Sequence, residues 1–174
     1  MTSHIEGERF IIVGTLDEAV SVGEEFDRLP PHTTILRWFR PLADAHMDRL
    51  TDLMDGLVAR EEPTAFQMLR GGKRVYLGEN KDVPARELVD KNKARPWYST
   101  QFALHALVNS LGGYRNIDDP FAHTFYQHAT DEPDRKVRPL VRVKVPSLAL
   151  VSAHSDESTQ HVVHAVDLRS EKNG

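Results

Sequence analysis

A chain of 174 residues, 40% hydrophobic and 28% charged, has the composition of an ordinary globular protein large enough to bury a core unaided. Its formal charge of −4 argues against nonspecific coating of nucleic acid, which rests on many Lys and Arg contacts to phosphate; a small nucleotide or one RNA end remains as an anionic partner. The absence of cysteine excludes disulfides, thiolate zinc sites and cysteine nucleophiles.

No apolar run approaches the roughly 20 residues of a membrane-spanning helix, and the N-terminus has no basic-then-apolar signal pattern. The expectation is a cytoplasmic protein with no membrane partner. Residues 1–8 read as a flexible N-terminus, residues 9–169 as a single domain and residues 170–174 as a C-terminal tail.

Arg9 to Leu16 is short and rich in β-branched residues, which predicts a buried strand. The acidic pairs Asp17-Glu18 and Glu24-Glu25 lead to Pro30-Pro31, which disfavours helix just before His32, and Thr33 to Phe39 reads as a second strand. Pro41 opens a helix through about Glu61, with Leu50, Leu53, Met54, Leu57 and Val58 at helical spacing. Two short strands are expected near Thr64 to Leu69 and Lys73 to Gly78, with Gly71-Gly72 as their turn.

Glu79 to Pro96 is charged and interrupted by Pro84, so it reads as a loop or short helix. Thr100 to Leu111 repeats Leu104, Leu107, Val108 and Leu111 on one helical face, and Gly112-Gly113 is its C-terminal stop. After a loop at Asp118-Asp119-Pro120, Ala122 to Thr130 reads as a strand, followed by strands at Leu140 to Ala153 and His161 to Arg169.

This order is an approximate doubling: each half supplies a helix and one His-x-Thr triplet, His32-Thr33-Thr34 in the first and His128-Ala129-Thr130 in the second. It predicts an α+β protein of two mainly antiparallel sheets facing each other, with helices outside. On a strand, residues two apart share a face, so His32 projects with Thr34 and His128 with Thr130. A lone triplet of this kind is usually a half-buried polar pair. Two on equivalent strands, lining one cleft, supply what phosphodiester cleavage requires: a base, an acid, and hydroxyls for the phosphate oxygens. Histidine suits both proton roles because its ordinary pKa lies near working pH. Neither a metal nor a cofactor is needed.

The segments Pro31-His32-Thr33-Thr34-Ile35-Leu36, followed by a helix, and Phe125-Tyr126-Gln127-His128-Ala129-Thr130, preceded by a helix ending in Gly112-Gly113, resemble the paired motifs of the 2H phosphoesterase superfamily. That superfamily includes the so-called 2′-5′ RNA ligases and 2′,3′-cyclic phosphodiesterases. The resemblance runs over about residues 9 to 169, including Gly72 to Gly78 and Asn80 to Pro84. It implies a bilobal, pseudo-twofold fold with the triplets facing across a central groove. It also implies a general acid and a general base drawn from His32 and His128, with Thr34 and Thr130 binding phosphate. The second motif departs from the pattern at Asp131, where an apolar residue is usual, and at Gln127, where Pro is common. A carboxylate close to His128 repels a substrate phosphate or raises the pKa of the ring.

Tyr76, Trp97 and Tyr126 are candidate substrate contacts, with Trp38 and Tyr98 as further stacking candidates and Arg70, Lys73 and Arg74 as candidate phosphate cations. His154, His161 and His164 crowd the C-terminal region without a fixed metal-ligand pattern. The function expected is a monomeric, metal-independent phosphodiesterase acting on a 2′,3′-cyclic phosphate end, a 2′-5′ linkage or a small cyclic nucleotide. The alternatives are a noncatalytic nucleotide or RNA-end binder, and a 2′-5′ RNA ligase.

Overall fold

A computed structural model describes residues 7–16, 18–58, 68–78, 80–90, 96–114, 125–128, 142–143, 145–154 and 158–168. The expectations on residues 1–6 and 170–174, on the strand start near Thr64, on the loop at Asp118-Asp119-Pro120, and on Thr130 and Asp131 lie outside those residues. In chain order the elements are β1 (Glu8–Thr15), β2 (Glu25–Phe26), β3 (His32–Phe39), α1 (Asp44–Val58), β4 (Met68–Leu77) and β5 (Val83–Asp90). They continue with α2 (Pro96–Ser110), β6 (Phe125–His128), β7 (Arg142–Val143), β8 (Ser147–His154) and β9 (Gln160–Asp167).

The strands pair antiparallel throughout, in the order β2-β9-β8-β1-β3-β6-β5-β4-β7. Two sheets facing each other were expected; among the described residues the ladders instead join into one nine-stranded sheet. The reason is that β3 and β6, the two motif strands, pair with each other. Among the described residues that junction consists of two residue pairs, His32↔His128 and Thr33↔Gln127, against eight between β1 and β8.

Both helices cover one face of this sheet. Leu50 and Met54 of α1 and Leu104 and Val108 of α2 stand four apart on their helices and are fully buried with Phe10, Ile12, Leu36 and Phe39. The other face of the sheet, along β1, β8 and β9, holds a second cluster, Ile11, Val13, Ala149, Val151 and Val162, covered by Val20 and Leu29 from the segment between β1 and β3. An irregularity in β3 serves both faces: Val13 pairs with Thr34 but Ile12 pairs with Leu36, so Ile35 is an extra residue. Ile35 and Leu36 therefore both enter the helix-side core, while Thr34 shares the opposite face with Val13.

α2 closes as its glycines predict. Gly112 sits at φ 79° and donates its N–H to the Asn109 carbonyl, and Gly113 donates to the Val108 carbonyl five residues back. These two bonds form a Schellman motif. The helix begins at Pro96 rather than Thr100, because a proline at the first helical position loses no hydrogen bond.

Two readings of the middle of the chain are corrected. Gly71-Gly72 is not a turn: β4 runs through it, with four steps from Arg70 to Arg74 passing two from Leu88 to Arg86, so the glycines mark a bulge. The segment from Val83 to Asp90 is a strand rather than a loop or short helix. Pro84 is tolerated because it stands second in β5, before the ladder to β6 begins at Ala85. The short β2, in the acidic segment, had no sequence signal; it pairs with His161 and Gln160 of β9.

Candidate active site

The registers assemble one row across the sheet: Val75, Ala85, His128, His32, Thr15, Ser147 and Asp167, each the ladder partner of the next. Partners on an antiparallel ladder share a face, with Cα atoms about 4.5–5.5 Å apart. His32 and His128, ninety-six positions apart in sequence, are thus backbone neighbours, and His32 lies on the sheet face turned away from the helices. Thr34, two residues along β3, is half-buried on that same face. Thr33 points the other way and is fully buried.

His32 is 8% exposed, and its Nδ1 lies 2.8 Å from the Pro30 carbonyl oxygen. A carbonyl only accepts, so Nδ1 carries the proton, and in the neutral ring Nε2 is the basic nitrogen. The Pro30-Pro31 pair, read in the sequence only as a helix breaker, is therefore part of what orients this ring. Thr15 and Ser147, beside His32 in the row, are 2% and 1% exposed, with their hydroxyl oxygens 2.5 Å apart. The sequence pointed to neither: each is a lone hydroxyl at the end of an apolar strand, and only the register carries it next to a histidine.

Arg86, one position along from Ala85, pairs with Gln127 in the row behind and is fully buried on the helix side with Leu88. The sequence signal for it was misleading, since a charged segment interrupted by Pro84 reads as a loop or short helix. Tyr126 is half-buried and two residues before His128, hence on the face of the histidine row, where its ladder partner is the exposed Glu87. Tyr76 pairs with Pro84, one step off the row, which puts it on the other face at 52% exposure; the register does not bring it to the histidines. Trp97 stands in the first turn of α2. Trp38 packs against the second cluster with the Arg9 guanidinium 4.3 Å over its ring, and Arg37 lies over Tyr114 at 4.9 Å.

Two of the three C-terminal histidines, His161 and His164, face carboxylates. His161 Nδ1 is 3.1 Å from Glu25, and His164 Nε2 is 2.8 Å from Asp55 of α1, which joins the helix to β9. His105 stacks on Tyr114 within the helix layer.

An antiparallel sheet with helices on one face, whose central strands β3 and β6 pair at His32 and His128, defines the class of fold. No family model and no curated protein sequence matches the chain. Solved structures do. The Thermus thermophilus protein TT0787 is 17% identical, with a TM-score of 0.57 over 94% of this chain and 99% of its own. Escherichia coli LigT complexed with NADP+ is 12% identical, with a TM-score of 0.55 over 95% of this chain and 99% of its own. The crystal structure of a phosphoesterase is 12% identical, with a TM-score of 0.53 over 94% and 99%. The chain therefore has an α+β fold similar to that of LigT and a phosphoesterase, and the likeness read from the paired motifs holds at the level of the fold.

Proposed function

We propose that this protein is a metal-independent phosphodiesterase, acting on a 2′,3′-cyclic phosphate end, a 2′-5′ linkage or a small cyclic nucleotide. The observation that carries the reading is the register His32↔His128, which sets two imidazole-bearing positions side by side on one sheet face. One histidine deprotonates water as it attacks phosphorus; the other protonates the departing ribose oxygen. The Thr34 and Thr130 hydroxyls hold the phosphate oxygens and donate to the charge that grows on them. With Nδ1–H committed to Pro30, His32 exchanges its proton through Nε2 in either role. That LigT has been crystallised with NADP+ and with 3′-AMP supports a nucleotide as the ligand class.

The test is a screen of cyclic mononucleotides, 2′-5′ dinucleotides and cyclic oligonucleotides against the wild type, His32→Ala and His128→Ala. Each substitution is expected to lower kcat by about 10²- to 10⁴-fold, the usual share of one placed acid or base. The wild-type rate is expected to be bell-shaped in pH: it falls at low pH as the base becomes protonated and at high pH as the acid loses its proton. EDTA is expected to leave it unchanged. Full activity in both variants refutes the reading. A second reading, a noncatalytic nucleotide or RNA-end binder, draws on Asp131, a carboxylate following the second motif. Calorimetric binding without turnover, at enzyme close to stoichiometric with substrate, favours it.

A further inference from the structure

The Pro30 carbonyl that faces His32 belongs to the segment between β1 and β3, which crosses the sheet to β9 and returns. At its far end Gly23 donates to the Val162 carbonyl, and Val162 donates back to Glu24. Val20 and Leu29 hold its middle on the apolar cluster of β1, β8 and β9. At its near end Leu16 donates its N–H to the Pro31 carbonyl at 2.9 Å, tying the exit from β1 to the entry into β3.

One further attachment is made by side chains. The Val20 N–H donates to Ser147 Oγ at 3.1 Å, and Ser147 Oγ lies 2.5 Å from Thr15 Oγ1, which is also 3.4 Å from the Ser147 carbonyl. One donor order satisfies both hydroxyls: Val20 N–H to Ser147 Oγ, Ser147 O–H to Thr15 Oγ1, and Thr15 O–H to the Ser147 carbonyl. Buried hydroxyls are stable only when bonded, and this loop of bonds satisfies both while holding a backbone N–H of the covering segment. At 1% and 2% exposure neither hydroxyl reaches a substrate. Yet Thr15 is the ladder partner of His32.

We propose that Thr15 and Ser147 are positioning residues for His32. Their hydroxyl pair pins the covering segment, the segment presents the Pro30 carbonyl to Nδ1, and the carbonyl holds the ring in the single tautomer whose Nε2 exchanges protons. The proposal rests on the phosphodiesterase reading for its effect on rate, but the tautomer is observable without it.

The experiment compares Thr15→Val, Thr15→Ser and Ser147→Ala with the wild type. Thr15→Val keeps the shape and removes the hydroxyl; Thr15→Ser keeps the hydroxyl. Ring ¹⁵N spectra of His32, assigned through His32→Gln, are recorded where the ring is neutral, and kcat and KM are measured on a 2′,3′-cyclic mononucleotide. Thr15→Val and Ser147→Ala are expected to mix the tautomers and to lower kcat at least about tenfold with KM within about twofold, the pattern of a misaimed reacting group. Thr15→Ser is expected to retain both signals.

A wild-type spectrum and kcat in Thr15→Val overturn the proposal. So does a Thr15→Ser variant as impaired as Thr15→Val, because the loss then belongs to packing. If Thr15→Val fails to fold, Ser147→Ala read against Thr15→Ser makes the same contrast. If the wild type turns over neither this substrate nor any other in the screen above, the phosphodiesterase reading falls, and the ring spectra alone decide the positioning role.

Discussion

Thr33 and Thr34 are adjacent and chemically identical, but the pleat gives them opposite surroundings. Thr34 is half-buried on the histidine face, whereas Thr33 is fully buried on the helix side, where its hydroxyl meets no hydrogen-bond partner among the described residues. Valine has nearly the shape of threonine, so the same substitution separates two effects. Thr34→Val is expected to lower kcat about 10²-fold, as loss of one donor to a developing oxyanion does, with little change in stability. Thr33→Val is expected to leave kcat unchanged and to raise stability by about 1 kcal/mol in urea denaturation, because it removes a buried hydroxyl that no hydrogen bond offsets among the described residues. Equal effects of the two on turnover contradict the assignment of faces. At this scale the sequence was informative about the triplets, since period-two spacing alone groups His32 with Thr34. It was silent on Pro30, Thr15 and Ser147, whose importance comes from ladder partners more than a hundred residues apart in the case of Thr15 and Ser147.

The helices were the most legible elements, because Leu50 with Met54, and Leu104 with Val108, repeat at the helical period and face one core. The strands around β4 and β5 were the least. A Gly-Gly pair most often signals a turn, and only the two-residue register shift identifies it as a bulge; Pro84 and Arg86 disguised a strand whose Ala85, Arg86 and Leu88 are all buried. The end of α2 carries a prediction of its own. A Cβ on Gly113 would stand 2.4 Å from Val108 Cγ1 and 3.1 Å from the Val108 carbonyl oxygen, both in the helix that Gly113 terminates. The same glycine's carbonyl accepts the Arg40 N–H just beyond β3, so the chain has little room to move away. Gly113→Ala is expected to cost about 1–3 kcal/mol, the range of overpacking in a tight site, read as a lower urea midpoint at unchanged slope. An unchanged midpoint would show that the turn relaxes freely. Leu104→Ala, which opens a cavity in the same layer, is expected to cost about 2–5 kcal/mol by the same measurement.

For the molecule as a whole, the doubling of element order was legible and its consequence was not. Two halves, each with a helix and a triplet, are equally compatible with sheets packed face to face and with sheets joined edge to edge. The choice depends on pairing between β3 and β6, a contact of very long sequence separation with no local signal. Edge-to-edge joining places the histidine row at the centre of a single sheet, and net charge then decides how a polyanion meets it. A chain of charge −4 has no general attraction for nucleic acid, so affinity must come from local bonds to one phosphate. A protein making six to ten phosphate contacts loses roughly 10³- to 10⁵-fold in affinity between 50 and 200 mM salt, in proportion to the number of counterions released. Recognition of a single phosphate is expected to shift KM for a cyclic mononucleotide by less than about tenfold over that range, and no more for a longer 2′-5′ oligonucleotide with the same reactive end. Measuring KM against salt for both substrates checks this. A steep slope that grows with oligonucleotide length would mean that the backbone of a longer RNA is held along the sheet, and that the site is built for a strand rather than for its end.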